Sequence, residues 1–112
     1  MRLFQYIVPL YDNAGKPHDL AKLKDFEGAL IGAANGYTKG PRQFGVWFDG
    51  VGKEYHDESV AYTVALGDNA DHVGDMTRRV EAIDTAFFSI FGDQKALFRS
   101  EIGTAAIINR PD

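Results

Sequence analysis

The sequence predicts a two-layer α+β sandwich in the order βαββαβ, with four strands in one antiparallel sheet and two helices on one face. Three observations carry that expectation. Residues 73–90 place apolar side chains every three or four positions, which is helical spacing, whereas 44–48 and 60–66 alternate with a period of two. A turn sequence, Asp49-Gly50-Val51-Gly52, separates the two alternating runs and supplies the glycines a tight connection wants. The 112 residues suffice for one domain, residues 1–112, around a single core.

The elements follow in order. Leu3 to Tyr11 is rich in aromatic and β-branched side chains, with Pro9 near its end, and stops at the turn cluster DNAGKP. His18 to Ala34 carries Leu20, Leu23, Phe26 and Leu30 at helical spacing. Asp19 stands where the positive end of the helix dipole favours an acid, and Asn35-Gly36, which tolerate positive φ, close the helix. Tyr37 to Gln43 is basic and irregular and reads as a loop or a frayed strand. Phe44, Val46 and Phe48 then share one face of a strand, and Val60, Tyr62, Val64 and Leu66 share one face of its partner, leaving the small Ala61, Thr63 and Ala65 on the other. Gly67 to Asp71 offers N-cap candidates for a second helix bearing Val73, Met76, Val80, Ile83, Phe87 and Ile90, with Gly92 as its stop. Lys95 to Asn109 reads as a long last strand with a bulge or bend at Gly103.

Right-handed crossovers leave few ways to connect this order other than the split βαβ, or ferredoxin-like, sandwich. Helices then cover one face of the sheet only. On the first strand either Leu3 and Ile7 or Phe4, Tyr6 and Val8 must point to the uncovered side, and Trp47 is expected there too. An exposed apolar sheet of that size marks an interface, so the expected partner is a second copy of the chain, in a homodimer or a homotrimer joined through the open sheet face.

Twelve basic against sixteen acidic residues give a net charge of −4, which argues against a nucleic-acid partner. There is no cysteine, so disulfides and thiolate metal sites are excluded, in keeping with a cytoplasmic location. The opening run LFQYIVPLY is too short for a membrane span and lacks a small-residue cleavage site. No nucleotide fingerprint, nucleophile elbow or paired metal-ligand spacing among His18, His56 and His72 occurs, and no cofactor is expected.

Three places hold more polar chemistry than packing needs. In Glu54-Tyr55-His56-Asp57-Glu58, a strand puts Glu54, His56 and Glu58 on one side and Tyr55 and Asp57 on the other. A histidine flanked by carboxylates suits general acid/base work, and the simpler alternative is a solvated hairpin end that discourages edge pairing. In the last strand Glu101 needs a partner or water, and Arg99, two residues away on the same face, is a candidate. With Ser100 and Thr104 these form either a rim salt bridge or a polar patch on the open face that contacts a ligand across a subunit boundary. Lys39-Gly40-Pro41-Arg42 reads as a plain loop or a small anion-binding loop.

The run GVWFDGVGKEYHDESVAYTV resembles a hairpin of small bacterial ferredoxin-like proteins, a resemblance that carries no activity with it. Leu97-Phe98-Arg99-Ser100 with Thr104-Ala105, and Glu58 leading into an alternating strand, resemble phage S-adenosylmethionine lyases, which are small α/β trimers similar to PII proteins. That resemblance implies a site at the subunit boundary with Glu58 as the important carboxylate. The family's catalytic tyrosine falls near Trp47, with Tyr55 displaced from that place.

The leading expectation is a small homo-oligomer that binds a small molecule or a protein partner without catalysis. The enzyme alternatives are a lyase acting on S-adenosylmethionine at an inter-subunit site, and a cofactor-free monooxygenase of the dimeric α/β-barrel type. For an enzyme the candidate catalytic residues are Glu58, His56 and Tyr55, and the candidate ligand contacts are Trp47, Arg42, Arg99, Ser100, Glu101 and Thr104.

Overall fold

The computed structural model describes residues 1–67 and 73–111. The elements are β1 (Arg2–Pro9), α1 (Leu20–Ala34), β2 (Thr38–Phe48), β3 (Glu54–Leu66), α2 (Val73–Ile90) and β4 (Phe98–Thr104), the expected order. The strands form one open antiparallel sheet in the order β2-β3-β1-β4, so β2 and β4 are its two edges.

The period of two in β1 and β3 sets the layers. Phe4 pairs with Val64, Tyr6 with Tyr62 and Val8 with Val60, and all six are buried against Leu23, Phe26 and Leu30 of α1 and Met76, Val80, Ile83 and Phe87 of α2. Both helices therefore lie on this face. Phe26 is the hub of the layer, with the rings of Tyr6, Tyr62, Phe87 and Phe91 all edge-on within 5.5 to 6.2 Å. Each such pair contributes about 0.5–1.5 kcal/mol beyond the area it buries. Leu3 and Ile7 take the uncovered side, half-buried among Ala61, Thr63 and Ala65, and Phe98 stands beside Ile7 on that face, 78% exposed.

Local chemistry explains the element ends. α1 begins at Leu20 rather than His18 because the Asp19 side chain caps it, accepting from the Ala21 N–H at 3.2 Å. It ends at Asn35, left-handed at φ 65°, whose N–H donates to the Ile31 carbonyl at 2.8 Å. The N-cap candidates from 68 to 71, His72 and the side chain of Val73 lie outside the described residues. Among the described residues no helix is long and apolar enough to cross a membrane.

Of the two readings of Tyr37 to Gln43, loop or frayed strand, the strand is the one observed: β2 begins at Thr38, and its ladder with β3 shifts register between Lys39 and Arg42, which accommodates Gly40 and Pro41. Pro41 is tolerable because β2 is an edge strand, where a missing N–H need cost no ladder bond. The last strand is shorter than Lys95 to Asn109. Its pairing with β1 runs only from Phe98 to Thr104, because β1 begins at Arg2 and offers no ladder beyond. The irregularity near Gly103 is there, as a register shift between Leu3 and Phe4 that leaves Ile102 without an opposite residue.

Candidate functional site

The β1 ladder ends where Pro9 meets Ser59, and one further bond runs from the Leu10 N–H to the Glu58 carbonyl at 2.9 Å, so from Asp57 outward β3 has only β2 beside it. Residues 44–48 and 54–58 thus form a two-stranded arm on a molecule of 55 × 27 × 25 Å. The turn at its tip is organised by Asp49. Its Oδ1 accepts from the N–H groups of Val51 at 3.0 Å and Lys53 at 2.9 Å, and Gly52 at φ +84° makes the reversal that a side chain would resist. These bonds, that from Lys53 first, hold the Asp49 carboxyl below the usual aspartate range against the opposing effect of desolvation.

The arm has two different faces. On the one turned from the helices, the Trp47 indole stacks on Tyr55, its N–H donates to Asp57, the Tyr55 hydroxyl donates to Asp49 at 3.2 Å, and the Lys53 ammonium lies 5.1 Å from the Tyr55 ring centroid. On the other, Phe44, Val46 and Phe48 stand opposite Glu58, His56 and Glu54 in that order. The phase is the one the sequence predicts for Glu54, His56, Glu58, Tyr55 and Asp57. Glu58 is the most covered of the polar side chains there, 16% exposed, and pairs with Arg42 at 3.2 Å. His56 is 71% exposed and lies 3.5 Å from Glu54. In the single chain His56 is in water, whereas Glu58 is held.

The other candidates sit on the opposite edge of the sheet. Arg99 and Glu101 do share a face, but it is the helix-covered one, and they do not pair with each other. Arg99 donates to Asp84 of α2 at 3.1 Å, and Glu101 accepts a fork from Arg2 at 2.6 and 2.7 Å. The Arg2 bonds, against some desolvation, hold the Glu101 carboxyl below its usual range. The physical reason is reach: Arg2 lies on the neighbouring strand in register with Thr104, and α2 passes over Arg99. Ser100 alone of this group faces the open side, opposite Gln5, and Thr104 ends the strand opposite Arg2. One chain therefore does not bring Trp47, Arg42 and Glu58 together with Arg99, Ser100, Glu101 and Thr104. The basic segment lies on β2, where Lys39 pairs with Glu27 at 2.9 Å and Arg42 with Glu58.

Sequence reasoning missed a polar network beneath β2. Glu27 of α1 accepts from the Tyr62 hydroxyl at 2.7 Å and from the Lys39 ammonium, which also lies 5.5 Å from the Tyr62 ring centroid. Burial pushes the Glu27 carboxyl up, but the Tyr62 and Lys39 bonds outweigh it and hold the group below the usual range. The signal was available: Glu27 follows Leu23 by four and precedes Leu30 by three, which puts a carboxylate at the margin of the apolar stripe. An open groove of about 530 Å³ between α1 and α2, lined by Ala29, Gly32, Ala33, Arg78 and Arg79, contains none of the candidates. Among the described residues no three His, Asp or Glu side chains are grouped to hold a metal ion.

No protein-family model and no curated protein matches the chain. Among solved structures, the fold is similar to that of a phage SAM lyase in complex with S-methyl-5'-thioadenosine, at a TM-score of 0.63 and 17% identity, over 92% of this chain and 82% of that one. The likeness to phage S-adenosylmethionine lyases expected from the last strand and Glu58 is thus present at the level of fold.

Proposed function

We propose that the protein is a small homo-oligomer that binds an adenosyl sulfonium at a subunit boundary and acts on it as a lyase, with Glu58 the working carboxylate. The observation that carries this reading is the fold shared with the phage SAM lyase over nearly the whole chain. The thioadenosine held by that protein is the fragment left when the sulfonium loses its amino-acid arm. Departure of a neutral thioether needs no acid at sulfur. In an elimination a base takes a proton from the carbon next to the one that bears sulfur, the C–H pair becomes the new C=C bond and the C–S pair leaves with the thioether. A carboxylate near the sulfonium helps to bind the cation and can be that base. Glu58, mostly covered and oriented by Arg42, has that chemistry.

A boundary site is favoured by the arrangement within one copy. Trp47 and Tyr55 are on the opposite face of the arm from Glu58, and Ser100 and Thr104 are on the far edge of the sheet, so only a neighbouring copy can bring these groups to one ligand. The second reading is a binding module without catalysis, and the solvated His56 favours it. Nothing favours the monooxygenase reading: it needs His and Tyr around a cavity between sheet and helices, but aromatic rings fill that layer and His56 is on the arm.

The test is incubation of the purified protein with S-adenosylmethionine, with chromatographic detection of S-methyl-5'-thioadenosine, beside thermal shifts with both compounds. Product release that falls at least about a hundredfold in Glu58→Gln, with the fold intact, is the expected result. No thermal shift and no substrate loss would remove the lyase reading and leave the binding module.

A further inference from the structure

We propose that in the assembly residues 106–110 of one copy lie along the free edge of β2 in another, as a third strand on its arm. This rests on the homo-oligomer part of the proposed function and specifies which surfaces meet. Four observations lead to it.

The first is need. A two-stranded hairpin is marginal in water, and this one leaves Phe44, Val46 and Phe48 exposed on one face and a half-exposed Trp47 on the other. The edge of β2 from Gln43 to Phe48 also lacks the prolines and lysines that discourage strand addition.

The second is the character of the segment. Ala105 exchanges two backbone hydrogen bonds with Met1, at 2.9 and 3.0 Å. Beyond it, among the described residues, the backbone of 106–111 makes none, and Ile107 and Ile108 are 73% and 86% exposed. As consecutive strand residues they point to opposite sides. One would cover the Phe44, Val46 and Phe48 row and the other the Trp47 and Tyr55 stack.

The third is charge. Arg110, which has no ion-pair partner among the described residues, would reach an arm bearing Asp49, Glu54, Asp57 and Glu58.

The fourth is reach, which identifies the donor. Thr104 is level with Leu66 and Phe44 is level with Glu58, eight residues back along β3 and on the far edge of the sheet. That separation is roughly 27 Å along the strands and 14 Å across them. β4 runs away from the arm, and Ile108, four residues past Thr104, reaches at most about 14 Å. A chain cannot cover its own arm, so the donor is a second copy. Such a contact joins two different surfaces, and it closes into a ring when the rotation permits.

Because the chain has no cysteine, introduced pairs report cleanly. Val46→Cys combined in turn with Ile107→Cys and Ile108→Cys should give, on mild oxidation, a ladder of covalent dimers and higher species. Ile107→Ser with Ile108→Ser should weaken self-association at least about tenfold by sedimentation and red-shift Trp47 emission. An assembly that forms equally well in the serine variant and yields no inter-chain cross-link overturns the strand addition while leaving the oligomer standing. A cross-link within one chain overturns it as well. A native protein that stays monomeric at high concentration removes the oligomer itself, and the inference with it.

Discussion

The indole of Trp47 lies flat on the ring of Tyr55, with centroids 4.2 Å apart and planes 9° from parallel. The two residues face each other across the β2–β3 ladder, and each is fastened at its polar end, Trp47 to Asp57 and Tyr55 to Asp49. The stack joins the middle of the arm to its tip, beyond the reach of the core.

If the stack holds the arm, Tyr55→Ala should red-shift Trp47 emission and speed amide exchange across 44–58. Exchange at the buried Phe4, Tyr6 and Tyr62 should stay slow. A double-mutant cycle on the pair should return about 0.5–1.5 kcal/mol of coupling. Unchanged exchange in the arm would show that the turn alone suffices.

Two buried tyrosines should respond in opposite ways to loss of the hydroxyl. Tyr62 donates to Glu27, whereas the Tyr6 hydroxyl is buried with no partner among the described residues. Burial pushes both phenols above the ordinary tyrosine range, with Asp84 adding to the effect at Tyr6 and Glu27 at Tyr62. Tyr62→Phe should cost about 1 kcal/mol, while Tyr6→Phe should be neutral or stabilising, both read from urea midpoints.

Acid should destabilise the fold through a defined set of carboxyls. Glu27, Asp49, Asp93 and Glu101 all bind protons more weakly folded than unfolded; at Asp93 the Asn13 N–H is the main cause. Their contribution is complete above the ordinary values of 4.5 for Glu and 3.8 for Asp, and is lost as pH falls through the lower folded values. Melting temperatures should therefore fall steeply only below about pH 4.5. Glu27→Gln should make that fall shallower, and an identical profile would assign the loss to the other three.

At the arm tip, Gly52→Ala should destabilise the turn by about 1 kcal/mol through its left-handed backbone, since an added Cβ there meets nothing within 4 Å. Gly52→Asn should be milder, because asparagine tolerates that region. Amide exchange at Val51 and Lys53 is the readout, and equal rates in all three proteins would contradict the conformational cause.

The order of elements, the alternation within the hairpin strands, the helix end at Asn35 and the opposed faces of Trp47 and His56 were legible in the sequence. Each follows from spacing within a few residues, and backbone sterics act at that range. The face that β1 turns to the helices was left open. The reach of β2 through Gly40 and Pro41 stayed open between loop and frayed strand, because those residues suit a strand only where it is an edge. The stop of β4 at Thr104 was not legible, because a strand lasts only as long as the neighbour it pairs with. Tertiary structure likewise chose the ion-pair partners. Arg99 and Glu101 stand two apart on one face, yet α2 and β1 bring Asp84 and Arg2 closer to them than they are to each other. A charge pairs with whatever the packed layers bring within about 3 Å, and that distance is decided by how the elements are stacked.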